Sequence, residues 1–198
     1  MARLRREFFE RYTPSVAREL LGCSLVRVVE GRRESGVIVE TEAYRGKGDP
    51  ASHAFRGKTG RNAVMFGEAG HAYVYFTMGM HYCLNVTTEP AGKAGAVLVR
   101  AIEPTEGLEE MARRRNSEVH IADGPGRLTK AMDIDGHLNG TDLVTSDALF
   151  IESGSAPAKI AASARVGVSR GVDRRWRFFV AGNRFVSRGK PAGLAQNT

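Results

Sequence analysis

The chain has 198 residues and carries 29 lysines and arginines against 22 aspartates and glutamates, a net charge of +7. This length suits one domain spanning residues 1–198, and an isoelectric point of about 9.8 favours a polyanionic partner such as nucleic acid. Apolar residues make up 42% of the chain but never form a run of about 18, so we predict no transmembrane helix.

The first half is predicted to contain one helix, an irregular stretch and several strands. The helix covers residues 13–22 and is capped by Thr13. The stretch at residues 45–70 is rich in glycine and cations, and such a segment inside a compact domain is often functional. Val- and Ile-rich or alternating patterns predict strands at residues 24–30, 36–42, 71–76, 82–87 and 96–102.

The second half is predicted to contain two helices followed by short strands. One helix covers residues 105–115 with Thr105 as its cap, and a shorter one covers residues 124–132. Strands are predicted at residues 148–152, 164–168, 176–180 and 184–187. The mixture predicts an α+β fold, and we expect the first 12 and last 10 or so residues to be loosely ordered.

Two carboxylates and a phenol follow each other on one side of a predicted strand. Glu40, Glu42 and Tyr44 alternate with apolar or small residues, so their side chains share a face. A buried carboxylate must be paired, and one interpretation is a general base beside an aromatic wall. The other is a strand that emerges into solvent at Glu40, and the pattern alone favours it, because carboxylates are usually on the surface. Spacing alone leaves open which glutamate would be the base.

Aromatic and sulfur-containing side chains occupy the next two strands and the turn between them. Tyr73 and Tyr75 share a strand face, where they could stack on an extruded base or simply pack a core. Met78 lies in the predicted turn and could wedge between base pairs or fill a gap in the core. His81 and Cys83 could form a nucleophilic pair, but no orienting third group is evident. No histidine and cysteine spacing predicts a zinc site.

Several strings in one order resemble the alkyladenine (3-methyladenine) DNA glycosylases. They are VETEAY at residues 39–44, ASHAFRG at 51–57, RNAVMF at 61–66, YVYFTMGMHYCLNV at 73–86, VLVRAIEPTEGLE at 97–109, DGPGRLTKAM from residue 123, TDL at 141–143 and ARVGV at 164–168. The resemblance implies a compact single domain around a curved antiparallel sheet, with a protruding β-hairpin that enters the DNA minor groove.

The resemblance also implies roles for individual residues. Glu42 corresponds to the general base that deprotonates water, and Arg100 to the residue that holds this water and the carboxylate in place. The flipped base is expected to stack among Tyr44, His53 and Tyr75.

The resemblance extends to specificity and DNA contacts. Asn85 corresponds to the group that collides with the 2-amino group of guanine, and Asp142 to a supporting acid. Met78 stands where the best-described members have an intercalating tyrosine, and its apolar side chain could keep that role. Lys58 and Arg61 are expected to contact the DNA backbone, although their loop is one residue shorter than in those members.

The function implied is removal of alkylated purines from double-stranded DNA by hydrolysis of the N-glycosidic bond. We expect a monofunctional enzyme, without metal or other cofactor, acting as a monomer in the bacterial nucleoid (cytoplasmic) or in a nucleus, with no membrane partner. Two alternatives are a non-catalytic domain that binds damaged DNA and an RNA- or tRNA-binding domain of similar fold. A Cys83/His81 hydrolase is a third.

Overall fold

A long strand, β2 (Arg32–Arg45), pairs with three other strands and organises the fold. The computed structural model describes residues 1–189. β1 (Ser24–Val29) precedes β2 through the two-residue turn Glu30-Gly31, in which both φ angles are positive, at 48° and 76°. This left-handed turn matches the twist of a hairpin. The other neighbours of β2 are β5 (Gly95–Glu106) and β8 (Arg177–Val180).

The strands form one curved, fully antiparallel sheet in the order β3-β4-β5-β2-β1-β6, with β8 joined to β2 and β7 to β8. The remaining strands are β3 (Ala72–Thr77), β4 (His81–Thr87), β6 (Leu149–Glu152) and β7 (Ile160–Ser163). β3 and β4 make a hairpin whose tip exposes Met78 and Met80. The predicted α+β class, curved sheet and protruding hairpin are confirmed.

In the described part of the chain, residues 1–189, four short helices pack on the sheet or on one another. They are α1 (Arg6–Phe9), α2 (Thr13–Glu19), α3 (Leu108–Arg115) and α4 (Pro125–Ala131), with 3-10 turns at Ala63–Phe66 and Gly136–Leu138. Phe9 of α1 is fully buried, so the N-terminal segment packs on the core. The C-terminal segment expected to be loosely ordered lies, from residue 190 onward, outside the described residues. Within residues 1–189, no helix has the length and apolarity to cross a bilayer.

Both predicted threonine caps are wrong. Thr13 is already inside α2, and its hydroxyl donates to Glu89 Oε1 at 2.9 Å in the buried interior. Thr105 belongs to β5 and hydrogen-bonds to Ser35 at 2.9 Å, so α3 begins only after Gly107. Each threonine satisfies its hydroxyl through a long-range partner, which sequence spacing does not reveal.

Two of the predicted strands are also wrong. Residues 164–168 form no strand, and the preceding residues 160–163 make β7 instead. Residues 184–187 run in turns and irregular backbone. In both segments the backbone contacts buried side chains of β2 instead of a strand ladder: Val166 N donates to Glu42 and Ser187 N donates to Glu40.

A buried ion pair attaches α3 to the sheet. Arg114 donates to both oxygens of Glu34, Nη1 to Oε2 at 2.7 Å and Nη2 to Oε1 at 2.6 Å. Glu34 lies on β2 and is almost fully buried, so the arginine is its main compensation.

Glu34→Gln should therefore lower the free energy of unfolding by about 3 kcal/mol, since it leaves most of the Arg114 charge without its partner. The exposed pair between Arg3 and Asp147, at 3.2 Å with the Asp147 side chain 99% exposed, supplies the control. Asp147→Asn should cost less than about 1 kcal/mol. Urea unfolding of both variants measures the difference, and equal small losses would contradict the assigned importance of the Glu34 pair.

Candidate active site

A cavity of about 370 Å³ opens between the β3–β4 hairpin, residues 51–53, β5 and residues 166–168. Its volume falls within the roughly 300–1,000 Å³ range of small-ligand pockets. Six predicted site residues line it: Tyr44, His53, Tyr75, Met78, Asn85 and Arg100. The chain thus brings together residues separated by up to 56 positions, because β2, β3, β4 and β5 are hydrogen-bonded neighbours.

Aromatic rings form one wall of the cavity. The rings of His53 and Tyr75 meet edge to face with centroids 4.6 Å apart, and Tyr73, which also lines the cavity, has its OH 3.0 Å from His53 Nδ1. Partial burial of the imidazole and the nearby Arg61 cation lower the pKa of His53, which favours its neutral form at physiological pH. The Asn62 amide donates to the His53 carbonyl at 2.9 Å and holds this turn in place.

Glu42 lies directly behind the opposite wall and is fully buried. Its Oε1 accepts from Val166 N at 2.7 Å, and its Oε2 accepts from Tyr44 OH at 2.7 Å and from Arg100 Nη1 at 3.4 Å. All three donor residues line the cavity. The Glu42 carboxylate is therefore separated from the cavity only by Tyr44, Arg100 and Val166. These three residues hold the carboxylate and would also touch a ligand in the cavity.

Glu40, the second carboxylate, is engaged in a closed network. Its Oε1 accepts from Arg100 Nε at 2.8 Å, Arg177 Nε at 2.7 Å and Ser187 Oγ at 2.9 Å. Its Oε2 accepts from Ser187 N at 2.6 Å. Glu40, like Glu42, is fully buried and outside the cavity lining, but of its three donor residues only Arg100 lines the cavity. These contacts suit an anchor for Arg100, whereas all the donors of Glu42 face the cavity.

A double irregularity in the β2–β5 ladder places these groups. Ile38 pairs with Ile102, Glu40 with Ala101 and Thr41 with Val99, so one extra residue lies on β2 and another, Arg100, on β5. β-bulges re-aim side chains and are frequent beside active sites. Here the bulge directs Arg100 toward both carboxylates.

The protonation properties of the site follow from burial. Burial raises the pKa of Glu42 above its ordinary value, because the opposing effects of Arg100 and of the Val166 N–H are smaller. Burial and the neighbouring Glu42 carboxylate raise the pKa of Tyr44, so the phenol stays protonated and donates. A carboxylate with a raised pKa is a stronger base than an exposed one.

The residues expected to set specificity and to wedge into DNA lie on the hairpin. Asn85 is buried in β4, where its Nδ2 donates to the Tyr73 carbonyl at 3.0 Å and its side chain lines the cavity. Met78 is 80% exposed at the tip and has a positive φ of 53°. Its exposure excludes the interpretation of Met78 as a core residue.

His81 and Cys83 both line the cavity, but burial raises the pKa of the Cys83 thiol. A raised pKa disfavours the nucleophilic thiolate, which argues against a cysteine hydrolase. No group of three histidines, cysteines or carboxylates within residues 1–189 is arranged to hold a metal ion.

The other predicted site residues lie away from the centre. Asp142 does not line the cavity; its carboxylate accepts from Arg6 Nη2 at 2.7 Å beneath the N-terminal segment. Lys58 is exposed in the irregular stretch. Arg61 is exposed at the cavity mouth, with its guanidinium carbon 5.5 Å from the centre of the Tyr75 ring.

Sequence reasoning missed the groups that hold the two glutamates from the C-terminal side. They are Arg165, Val166, Arg177 and Ser187, together with Asp49, which pairs with Arg165. The ARVGV string contains the first two, but it contains no signal for their contacts.

Comparison with known proteins identifies the family. The profile of the family described as Methylpurine-DNA glycosylase (MPG) matches residues 7–184. Relatives with the name "Putative 3-methyladenine DNA glycosylase" include one from Carboxydothermus hydrogenoformans, 48% identical over 93% of this chain and 98% of its own. Others from Chlorobium phaeobacteroides and Methanocella arvoryzae are also 48% identical, over 98% and 96% of this chain and 100% and 98% of theirs. The chain therefore belongs to the methylpurine-DNA glycosylase family.

Proposed function

We propose that the chain is a monofunctional 3-methyladenine DNA glycosylase that extrudes an alkylated purine from duplex DNA and hydrolyses its N-glycosidic bond. The observation that carries this proposal is the position of Glu42, a buried carboxylate of raised pKa whose three hydrogen-bond donors all face one aromatic cavity. The relatives' names and the family supply the class of reaction.

The cavity suits a flat, electron-poor ring. Tyr44, His53 and Tyr75 present aromatic surfaces, and stacking on such surfaces is worth roughly 1–3 kcal/mol per base. A purine nucleotide alkylated at ring nitrogen N3 or N7 is cationic, so the ring faces add a cation–π attraction. The neutral state favoured for His53 avoids placing a second cation against that base.

The reaction needs little from the protein beyond a base and a positioned water. As the C1′–N bond breaks, its electron pair leaves with the purine and the sugar gains oxocarbenium character. Water then bonds to C1′, and Glu42 takes its proton. Arg100, fixed by Glu40 at 2.8 Å, orients the Glu42 carboxylate and the attacking water. A cationic purine leaves as a neutral molecule and needs no protonation.

Water is the expected nucleophile. A glycosylase that also cleaves the DNA strand needs an amine to form a Schiff base, and within residues 1–189 no lysine lines the cavity. The product is then an abasic site.

A non-catalytic binder of damaged DNA would need the same aromatic walls but would have no use for the paired Glu42 and Arg100.

Glu42→Gln should reduce release of 3-methyladenine from methylated duplex DNA by about 10²–10⁴-fold, because the shape is kept and only the base is lost. Affinity for an abasic duplex should be retained.

The matched control is Glu109→Gln, the same chemical change at an exposed position of α3. It should leave release unchanged. Release by Glu42→Gln at the natural rate would remove Glu42 from the mechanism. Tight binding without release by the natural chain would indicate the non-catalytic alternative.

Asn85→Ser should increase excision of normal guanine relative to 3-methyladenine. The shorter side chain removes bulk from the buried side of the cavity where a 2-amino group would collide. Single-turnover release of both bases from the same preparation gives the ratio and corrects for any loss of folded protein. An unchanged ratio would refute the proposed filter.

Met78→Ala should weaken base extrusion more than initial DNA binding, since a side chain inserted into the stack acts only after docking. Fluorescence of 2-aminopurine beside the lesion reports unstacking, and binding to undamaged duplex reports docking. Met80→Ala is the control at the same hairpin tip, where the side chain is 70% exposed. Equal losses in the two variants would contradict a specific wedge role for Met78.

A further inference from the structure

Arg165, a buried arginine outside the cavity, contacts three parts of the chain near the active site: Asp49, β2 and Trp176. Arg165 is completely buried and donates to both oxygens of Asp49, each at 2.7 Å. Its Nη1 also donates to the Ala43 carbonyl at 2.9 Å, between Glu42 and Tyr44 on β2.

Arg165 also supports the Tyr44 wall. Its guanidinium carbon lies 4.6 Å from the centre of the Tyr44 ring and 5.4 Å from that of Trp176. Arg165 does not line the cavity, whereas Tyr44 does. The guanidinium therefore fixes the ring without occupying the space of a ligand.

We call the Asp49–Arg165 pair the clamp. Val166, the next residue in the chain, connects this clamp to the Glu42 carboxylate. Val166 N donates to Glu42 Oε1 at 2.7 Å. Val166 lies outside the named strands, at a single bridge position followed by Gly167, so no continuous ladder fixes its amide. The side chain of Arg165, anchored by Asp49, begins at the preceding residue.

Stability alone is a weak explanation for this arrangement. Buried ion pairs are often replaceable by apolar residues without loss of stability. Within residues 1–189, Arg165 Nε is also the one buried side-chain nitrogen or oxygen without a hydrogen-bond partner, and such a group costs about 1–3 kcal/mol.

We propose that the Asp49–Arg165 pair is a positioning device for the general base: it holds the Val166 amide against Glu42 Oε1 and the Tyr44 ring against the cavity, so that Glu42 stays oriented toward the attacking water. The assignment of Glu42 as base rests on the proposed function. The positioning of its carboxylate can be measured without activity.

The predicted consequence is a change in the pKa of Glu42. The Val166 N–H bond stabilises the charged carboxylate and lowers its pKa, so loosening the clamp should raise that pKa further. The other titratable or charged groups that act on Glu42 are Tyr44, Glu40, Arg100, Arg165 and Cys83. Arg165→Lys keeps all of these charges, whereas a change at Asp49 removes the carboxylate that pairs with Arg165.

The experiment uses Asp49→Asn, which keeps the shape and removes the charge, and Arg165→Lys, which keeps the charge and loses the two-pronged contact. A ¹³C NMR titration of glutamate carboxyls reports the Glu42 pKa, with the Glu42→Gln spectrum assigning the signal. Single-turnover release of 3-methyladenine is measured from acid to neutral pH. The control is Glu34→Gln, which breaks another buried arginine pair on β2.

Arg165→Lys, which keeps the positive charge, should show a raised Glu42 pKa, an acid limb of the release profile moved to higher pH, and a release rate at neutral pH lower by roughly 10–100-fold, since a misplacement of about 1 Å can cost ~10²-fold. Asp49→Asn should show the same loss of rate with a smaller rise of the Glu42 pKa, because loss of the Asp49 charge by itself favours the charged carboxylate. Binding to an abasic duplex and the pH profile of Glu34→Gln should stay as in the natural chain. An unchanged Glu42 titration in folded Arg165→Lys would overturn the positioning role. A shifted titration without base release by the natural chain would support the clamp and reject the proposed catalytic function.

Discussion

The central constraint on this protein is that two carboxylates of one strand are buried and must be compensated. Glu40 and Glu42 lie on β2 between β5 and β8, and both side chains are fully buried. An unpaired buried charge is costly enough to unfold a protein of ordinary stability. The cations and amides around the two glutamates are therefore requirements of the fold as well as parts of the site.

The two glutamates are compensated to different degrees by their hydrogen-bond donors. Glu40 receives four hydrogen bonds, including two from guanidinium groups, and is saturated. Glu42 receives three, of which the Arg100 contact at 3.4 Å is the longest. Its weaker compensation agrees with its raised pKa. An incompletely stabilised carboxylate is one that can accept a proton from water.

The sequence was informative wherever local pattern or a family string determined the structure. It predicted the α+β class, most of the strands and helices, and six residues that line one cavity. It could not decide between Glu40 and Glu42, because their distinction arises from a bulge at Arg100 and from partners over a hundred residues away. The same distance explains the errors at residues 164–168 and 184–187, whose amides bind carboxylates of β2 and not another strand.

The partners of Glu40 and Glu42 lie far apart in the sequence, which affects when each contact can form during protein synthesis. β1 and β2 can form early, since a two-residue turn joins them. Val166, Arg177 and Ser187 emerge from the ribosome more than a hundred residues after Glu42, and loop closure over such distances delays the contacts they make. Until residues 166–187 dock, Glu40 has only Arg100 among its donors and Glu42 has only Tyr44 and Arg100. Docking of residues 166–187, and not the first appearance of the hairpin or the aromatic wall, is the step at which the central strand can become stably enclosed.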